Sequence, residues 1–165
     1  MTNKIIIVGG ILSIIFILGA YLAVSKTAKT NVEAKVYSKE DTARPKAEVK
    51  ETFKDMGKIK VSEAKTASFT VKNVGQEPLQ LLDISSSCGC TVGKVFYQGY
   101  ESDEFGMHSA GDFDREIAPG TEARVDVIYR PYVMPVYGEV GREVYVSTND
   151  PENPKLVLQV KAYVE

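Results

Sequence analysis

Leu156-Val157-Leu158-Gln159-Val160-Lys161-Ala162-Tyr163-Val164 carries the cleanest alternation in the sequence. Leu156, Leu158, Val160, Ala162 and Val164 fall on one side, opposite Gln159, Lys161 and Tyr163. A period of two belongs to an extended strand with one face in a core and the other in water. The same period recurs upstream. Val144, Val146 and Thr148 alternate with Glu143, Tyr145 and Ser147. Ala123, Val125, Val127 and Tyr129 alternate with Glu122, Arg124 and Asp126, and Pro131 ends that run. Ala67, Phe69 and Val71 alternate with Ser68, Thr70 and Lys72.

Further out the pattern is less regular. Val49, Glu51 and Phe53 alternate with Lys50 and Thr52; Asp55-Met56-Gly57 reads as a turn, after which Ile59 and Val61 resume one face. In the strand Leu79 to Ser85 the apolar parity changes between Leu79/Leu81 and Leu82/Ile84, the mark of a bulge or of a fully buried strand. Thr91 to Phe96 reads as another strand. Asn73 to Pro78, Ala118 to Thr121 and Asn149 to Pro154 hold the Gly, Pro, Asn and Asp of turns. About seven short strands without a helix predict an all-β fold, an immunoglobulin-like antiparallel β-sandwich over residues 49–165. The Cys…Trp…Cys core of antibody domains is missing, since the chain has no Trp. Stability must come from burial, and Phe69, Val125, Val146 and Leu158 are expected inside.

The beginning of the chain has a different character. Residues 5–24 carry no charge, and a helix of that length matches the hydrocarbon core of a bilayer. Residues 1–25 read as one N-terminal transmembrane helix, an uncleaved signal anchor, because the apolar run is longer than a cleavable signal peptide needs. Residues 26–48 are rich in Lys, Thr, Ala and Glu and read as a solvated, flexible linker. The lysines that follow the span would keep the domain in the cytoplasm by the positive-inside rule. A net charge of −2 with mixed signs provides no basic field for nucleic acid.

Phe53 to Ile59, Ala67 to Gly75, Pro78-Leu79, Ser86-Ser87-Cys88-Gly89-Cys90-Thr91, Ile117 to Gly120, Gly138, Ser147 to Pro151 and Leu156 to Leu158 together resemble bacterial domain-of-unknown-function family 1573. Its wider relatives are the Hydin-type and major-sperm-protein-like domains. The resemblance covers roughly residues 53–164. It implies an immunoglobulin-like envelope domain anchored by a lipid or a helix, placed outside the cytoplasm, and it implies no established activity. The loop 97–116 is longer than the family pattern.

Chemistry concentrates at Cys88 and Cys90, the two cysteines of the chain. In an extended segment, residues two apart face the same side with Cα atoms about 6.5–7 Å apart. That is the limit for a disulfide, unless Gly89 bends the segment. Three readings stay open: packing of small polarizable residues, a redox pair closing a small and easily reduced disulfide, and a copper or zinc site in which Met107 and His108 add a thioether and an imidazole. Ser85, Ser86 and Ser87 lack a nucleophile elbow and are expected to bond the local backbone. The carboxylates of loop 97–116 match no EF-hand spacing. Its aromatic residues Tyr97, Tyr100, Phe105 and Phe113 either form a surface for a protein partner or fold the loop back on the sandwich. The expected function is a membrane-anchored, non-enzymatic envelope module for protein–protein interaction, with no cofactor. The alternative is a thiol-redox or Cu(I)/Zn(II)-binding envelope protein acting through Cys88 and Cys90.

Overall fold

The computed structural model describes residues 33–165. The expected membrane helix over residues 5–24 lies outside them, and among the described residues no helix is long and apolar enough to cross a membrane. Among the described residues ten strands form two sheets: β1 (Ala47–Glu48), β2 (Phe53–Ile59), β3 (Lys65–Asn73), β4 (Leu81–Ser86), β5 (Thr91–Tyr97), β6 (Tyr100–Glu101), β7 (Phe105–Gly106), β8 (Glu122–Tyr129), β9 (Gly138–Thr148) and β10 (Lys155–Val164). One sheet has the order β1-β3-β8-β5-β6, with β7 also paired to β5; the other has the order β2-β10-β9-β4. Seven strands have six or more residues, in line with the count expected from alternation. Phe69, Val125, Val146 and Leu158 all lie in the core between the sheets.

Two departures come from glycine and from a parallel edge. Asp55-Met56-Gly57 is no turn: β2 runs through it and pairs parallel with β10. Asp55 and Lys58 sit opposite Lys161 and Tyr163, so one extra residue bulges out, and Gly57 takes the positive φ of 68° that this requires. The Asp55 carboxylate accepts the Gly57 N–H at 2.7 Å. Val49 to Thr52, read as strand, lie outside the ladders. By contrast, the parity change in Leu79 to Ser85 is a bulge, with the register slipping between Leu82 and Ser85 and Asp83 at φ 40°.

The stretch read as a flexible linker is bound to the sandwich from residue 33 onward. The Lys35 N–H donates to Gln80 Oε1 at 2.8 Å, and Gln80 Nε2 donates to the Glu33 carbonyl at 3.0 Å. The Arg44 carbonyl accepts the Gln76 N–H at 3.0 Å, and the Lys46 carbonyl accepts that of Val74 at 2.8 Å. Gly75 makes this approach possible: a Cβ there would lie 2.4 Å from the Arg44 carbonyl oxygen. Charged composition hides such a contact because backbone atoms make it.

One end of the sandwich is tied together by buried polar groups. The Asp150 carboxylate, fully buried, accepts the Ala47 N–H, the Glu152 N–H and Asn153 Nδ2, each at 2.9 Å. Asn149 Oδ1 accepts the Gln80 N–H, and Asn73 Nδ2 donates to the Glu77 and Ile117 carbonyls. Burial by itself would raise the Asp150 carboxyl. The bonds from Asn153 and from the backbone N–H groups outweigh it and hold the group below the usual carboxylate range.

Two measurements follow. Leu158→Ala, made in a fully buried position, is expected to cost about 2–5 kcal/mol in denaturant unfolding; a loss under about 1 kcal/mol would contradict this packing. Because its folded pKa is depressed, Asp150 adds stability at neutral pH that disappears as pH falls through the carboxylate range, below about 4. Asp150→Asn is therefore expected to lower the melting midpoint clearly at pH 7 and by a smaller margin near pH 3. An equal gap at both would contradict the assignment.

Candidate functional site

β4 ends at Ser86, and the chain turns through Ser87-Cys88-Gly89-Cys90 before β5 starts at Thr91. The Thr91 N–H donates to the Cys88 carbonyl at 3.2 Å and closes the turn. Ser86 Oγ donates to the same carbonyl at 2.9 Å, and Ser87 Oγ accepts the Glu143 N–H at 3.0 Å. These hydroxyls thus bond the backbone at a strand end. Because the segment turns instead of running extended, the Cα atoms of Cys88 and Cys90 are 5.3 Å apart, and the two sulfurs are joined in a disulfide.

The two halves of the bridge are unequal. Cys90 is 1% exposed, whereas Cys88 is half-buried. Arg142 Nε donates to Cys90 Sγ at 3.3 Å, and the Arg142 guanidinium also lies over the Tyr129 ring, 5.3 Å from its centre. The Thr91 hydroxyl is 3.4 Å from Cys88 Sγ and 3.9 Å from Cys90 Sγ. Met107 and His108 occupy the tight turn Gly106–Ser109, in which the two end residues exchange backbone hydrogen bonds at 3.2 Å. Pairing of β7 with β5 places that turn beside the cysteines, and His108 Cδ2 lies 4.0 Å from where a side chain on Gly89 would begin. The structure therefore gathers Cys88, Cys90 and His108 at one end of the sandwich, with Met107 exposed next to them. As a disulfide, neither sulfur is a thiolate ligand. Among the described residues no group of three or more His, Cys, Asp or Glu side chains converges on a point.

The loop 97–116 is bound down. Tyr97, Phe105 and Phe113 are buried, and Tyr100 is half-buried with its ring 5.9 Å from that of Phe113. Of the two roles set out for these four residues, the structure has them fold the loop back and does not offer them as a partner surface. The Ile84 N–H and carbonyl both bond to Gly111, and the Leu81 carbonyl accepts the Phe113 N–H. The bulge at Asp83 and Ile84 frees the groups that receive the loop. Glu104 makes a two-pronged ion pair with Arg130, at 2.6 and 2.8 Å; the guanidinium holds the Glu104 carboxyl below its ordinary range.

The exposed apolar surface lies elsewhere. The loop between β8 and β9, Pro131-Tyr132-Val133-Met134-Pro135-Val136-Tyr137, begins with a single 3₁₀ turn over Pro131–Val133. Tyr132, Val133, Met134, Val136 and Tyr137 are 44–67% exposed. The Arg130 N–H donates to the Cys90 carbonyl at 2.8 Å, so the loop leaves the sandwich beside the disulfide. It rejoins at Gly138, four residues before Arg142. Sequence reading passed over this loop because it treated Pro131 only as a strand stop. Five large apolar residues in the six positions after Pro131, interrupted only by Pro135, were the available signal.

Residues 47–107 match the family described as protein of unknown function (DUF1573), and the resemblance seen in the sequence is borne out over that stretch. No curated protein matches the chain. Among solved structures, the chain is similar to a protein of unknown function from Porphyromonas gingivalis W83, at 22% identity and a TM-score of 0.57. The match covers 74% of this chain and 48% of that one, so the chain spans about half the length of that neighbour. It is also similar to the ASH/PapD-like domain 7 of human CEP192, at 14% identity and a TM-score of 0.50, over 82% of this chain and 96% of that domain. These likenesses show the fold alone, an immunoglobulin-like β-sandwich.

A bridge between residues two apart closes a minimal loop and removes little entropy from the unfolded chain. Reduction is therefore expected to move the melting midpoint only slightly in a thermal scan with and without a strong reductant. Unfolding on mild reduction would show the bridge to be a structural staple.

Proposed function

We propose that this chain is a membrane-anchored, non-enzymatic protein of the cell envelope whose sandwich binds another protein through the loop Pro131–Tyr137. The observation that carries the reading is the exposure of five large apolar side chains on this one loop. Exposed apolar patches on soluble domains mark contact surfaces. Two of the five are tyrosines and one is a methionine, residue types enriched at protein interfaces. The prolines restrict the loop before binding, which reduces the ordering cost of association. The apolar run over residues 5–24 supports the anchor, and a disulfide suits the oxidising side of a membrane, the side that the family resemblance implies.

The test places a photocrosslinking side chain at Val133 or Val136 of the full chain in native cells, with Val157 on the exposed face of β10 as control. The expected result is one adduct from the loop positions and none from the control. It should disappear in Tyr132→Ser/Tyr137→Ser with an unchanged melting midpoint. Protease added outside the cells' inner membrane should digest the sandwich. Equal crosslinking from all three positions, or a sandwich protected from that protease, would overturn the corresponding part of the reading.

A further inference from the structure

We infer that Cys88–Cys90 is an exchangeable disulfide: Cys88 Sγ is attacked by the thiolate of a polypeptide held at the Pro131–Tyr137 loop, and Cys90 Sγ leaves as a thiolate beside Arg142. The choice of a polypeptide rests on the reading of that loop as a protein-binding surface. The roles of the two sulfurs rest on burial and contacts alone.

The asymmetry of the bridge assigns the roles. Cys90 is 1% exposed, so a thiolate carried by a macromolecule reaches the half-buried Cys88. Exchange is faster when the departing thiol has a low pKa. Burial alone would disfavour a Cys90 thiolate. The Arg142 Nε–H, 3.3 Å from Cys90 Sγ, supplies a hydrogen bond and a full positive charge at the sulfur that gains the electron pair. Arg142 is held there by the Tyr129 ring and by donation from Nη1 to the Gly141 carbonyl at 2.7 Å. The other charged groups around the pair are accounted for. The Glu143 carboxylate accepts the Tyr145 hydroxyl at 2.6 Å, Glu104 is paired with Arg130, and His108 lies across Gly89. The loop is attached at both ends to this site, through Arg130 on the Cys90 carbonyl and through β9, which carries Arg142.

The chemistry balances as a two-electron transfer. The partner's thiolate forms a bond to Cys88 Sγ, the Cys88–Cys90 bond breaks, and its electron pair goes to Cys90. A second thiolate of the partner then attacks the partner's own sulfur in the mixed disulfide and releases Cys88. The partner leaves with a disulfide, and the two protons lost by its thiols end on Cys88 and Cys90. A second protein or low-molecular-weight disulfide restores the bridge by the same steps in reverse. Arg142 touches the departing sulfur but forms no bond, so it acts as a positioning and charge-stabilising residue.

The test uses the full chain and two reductants of matched thiol pKa, glutathione and an apolar peptide with one cysteine. Rapid alkylation after mixing and peptide mass analysis should find the peptide on Cys88 and the alkyl group on Cys90. Arg142→Gln is expected to slow exchange by about five- to tenfold with both reductants, Arg142→Lys to restore most of the rate, and neither to move the melting midpoint much. Tyr132→Ser/Tyr137→Ser should slow the peptide and leave glutathione unchanged. Peptide found chiefly on Cys90, or a rate indifferent to Arg142→Gln in a folded protein, would overturn the exchange assignment. Equal behaviour of peptide and glutathione in wild type and loop variant would overturn the polypeptide assignment while leaving the roles of the sulfurs standing.

Discussion

The carboxylate of Asp150, buried with three donors at 2.9 Å, is the contact on which the arrangement of this domain depends. It joins the first strand, through the Ala47 N–H, to the turn between the last two strands. A buried ionised group is tolerable only when its lone pairs are filled, so the two segments that supply the donors are fixed together or not at all. Asn73, Gln80 and Asn149 extend the lock to the β3–β4 turn and to Ile117, using side-chain amides where the backbone leaves the ladders. Closing this end with polar groups also brings the approach segment from residue 33 onto the sandwich through Gln80.

The opposite end is built differently. Strand register places Lys65, Thr91 and Tyr129 there, with Gly138 at the start of β9, while Asn73, Leu81 and Thr148 lie at the locked end. β4 stops pairing with β9 at Val144, so the first residues of β9 extend past the cysteine turn with that side unpaired by β4. At this end lie Arg142 against Cys90, the disulfide, the Met107–His108 turn across Gly89 and the root of the apolar loop at Arg130. The bulge at Asp83 contributes to both ends: it turns the strand that leads to the cysteines and frees the Ile84 backbone to hold the loop at Gly111.

Alternation made β3, β8, β9 and β10 legible, because each has one face in the core and one in water. The bulge in β4 was legible for the same reason: a change of parity cannot be hidden. Gly57 misled, since a glycine at positive φ serves a bulge as well as a turn. The parallel pairing of β2 with β10 left no trace in either segment. The binding of residues 33–46 was unreadable from composition, because it runs through backbone atoms and the space left by Gly75. The cysteine pair stood out at once by its spacing, whereas its partner Arg142 did not. A charged residue at an exposed-face position of a strand reads as solvated until the fold brings a sulfur to it.

The lock at one end leaves the other free to carry the loop and the disulfide. Residue-resolved hydrogen exchange under native conditions, before and after reduction of Cys88–Cys90, tests it most directly. The N–H groups of Ala47, Asn73 and Gln80 should exchange only through global unfolding in both states. Those of residues 87–90 and 132–137 should exchange through local opening, and reduction should loosen only these. Early exchange of Ala47 and Gln80, or loss of their protection on reduction, would contradict it.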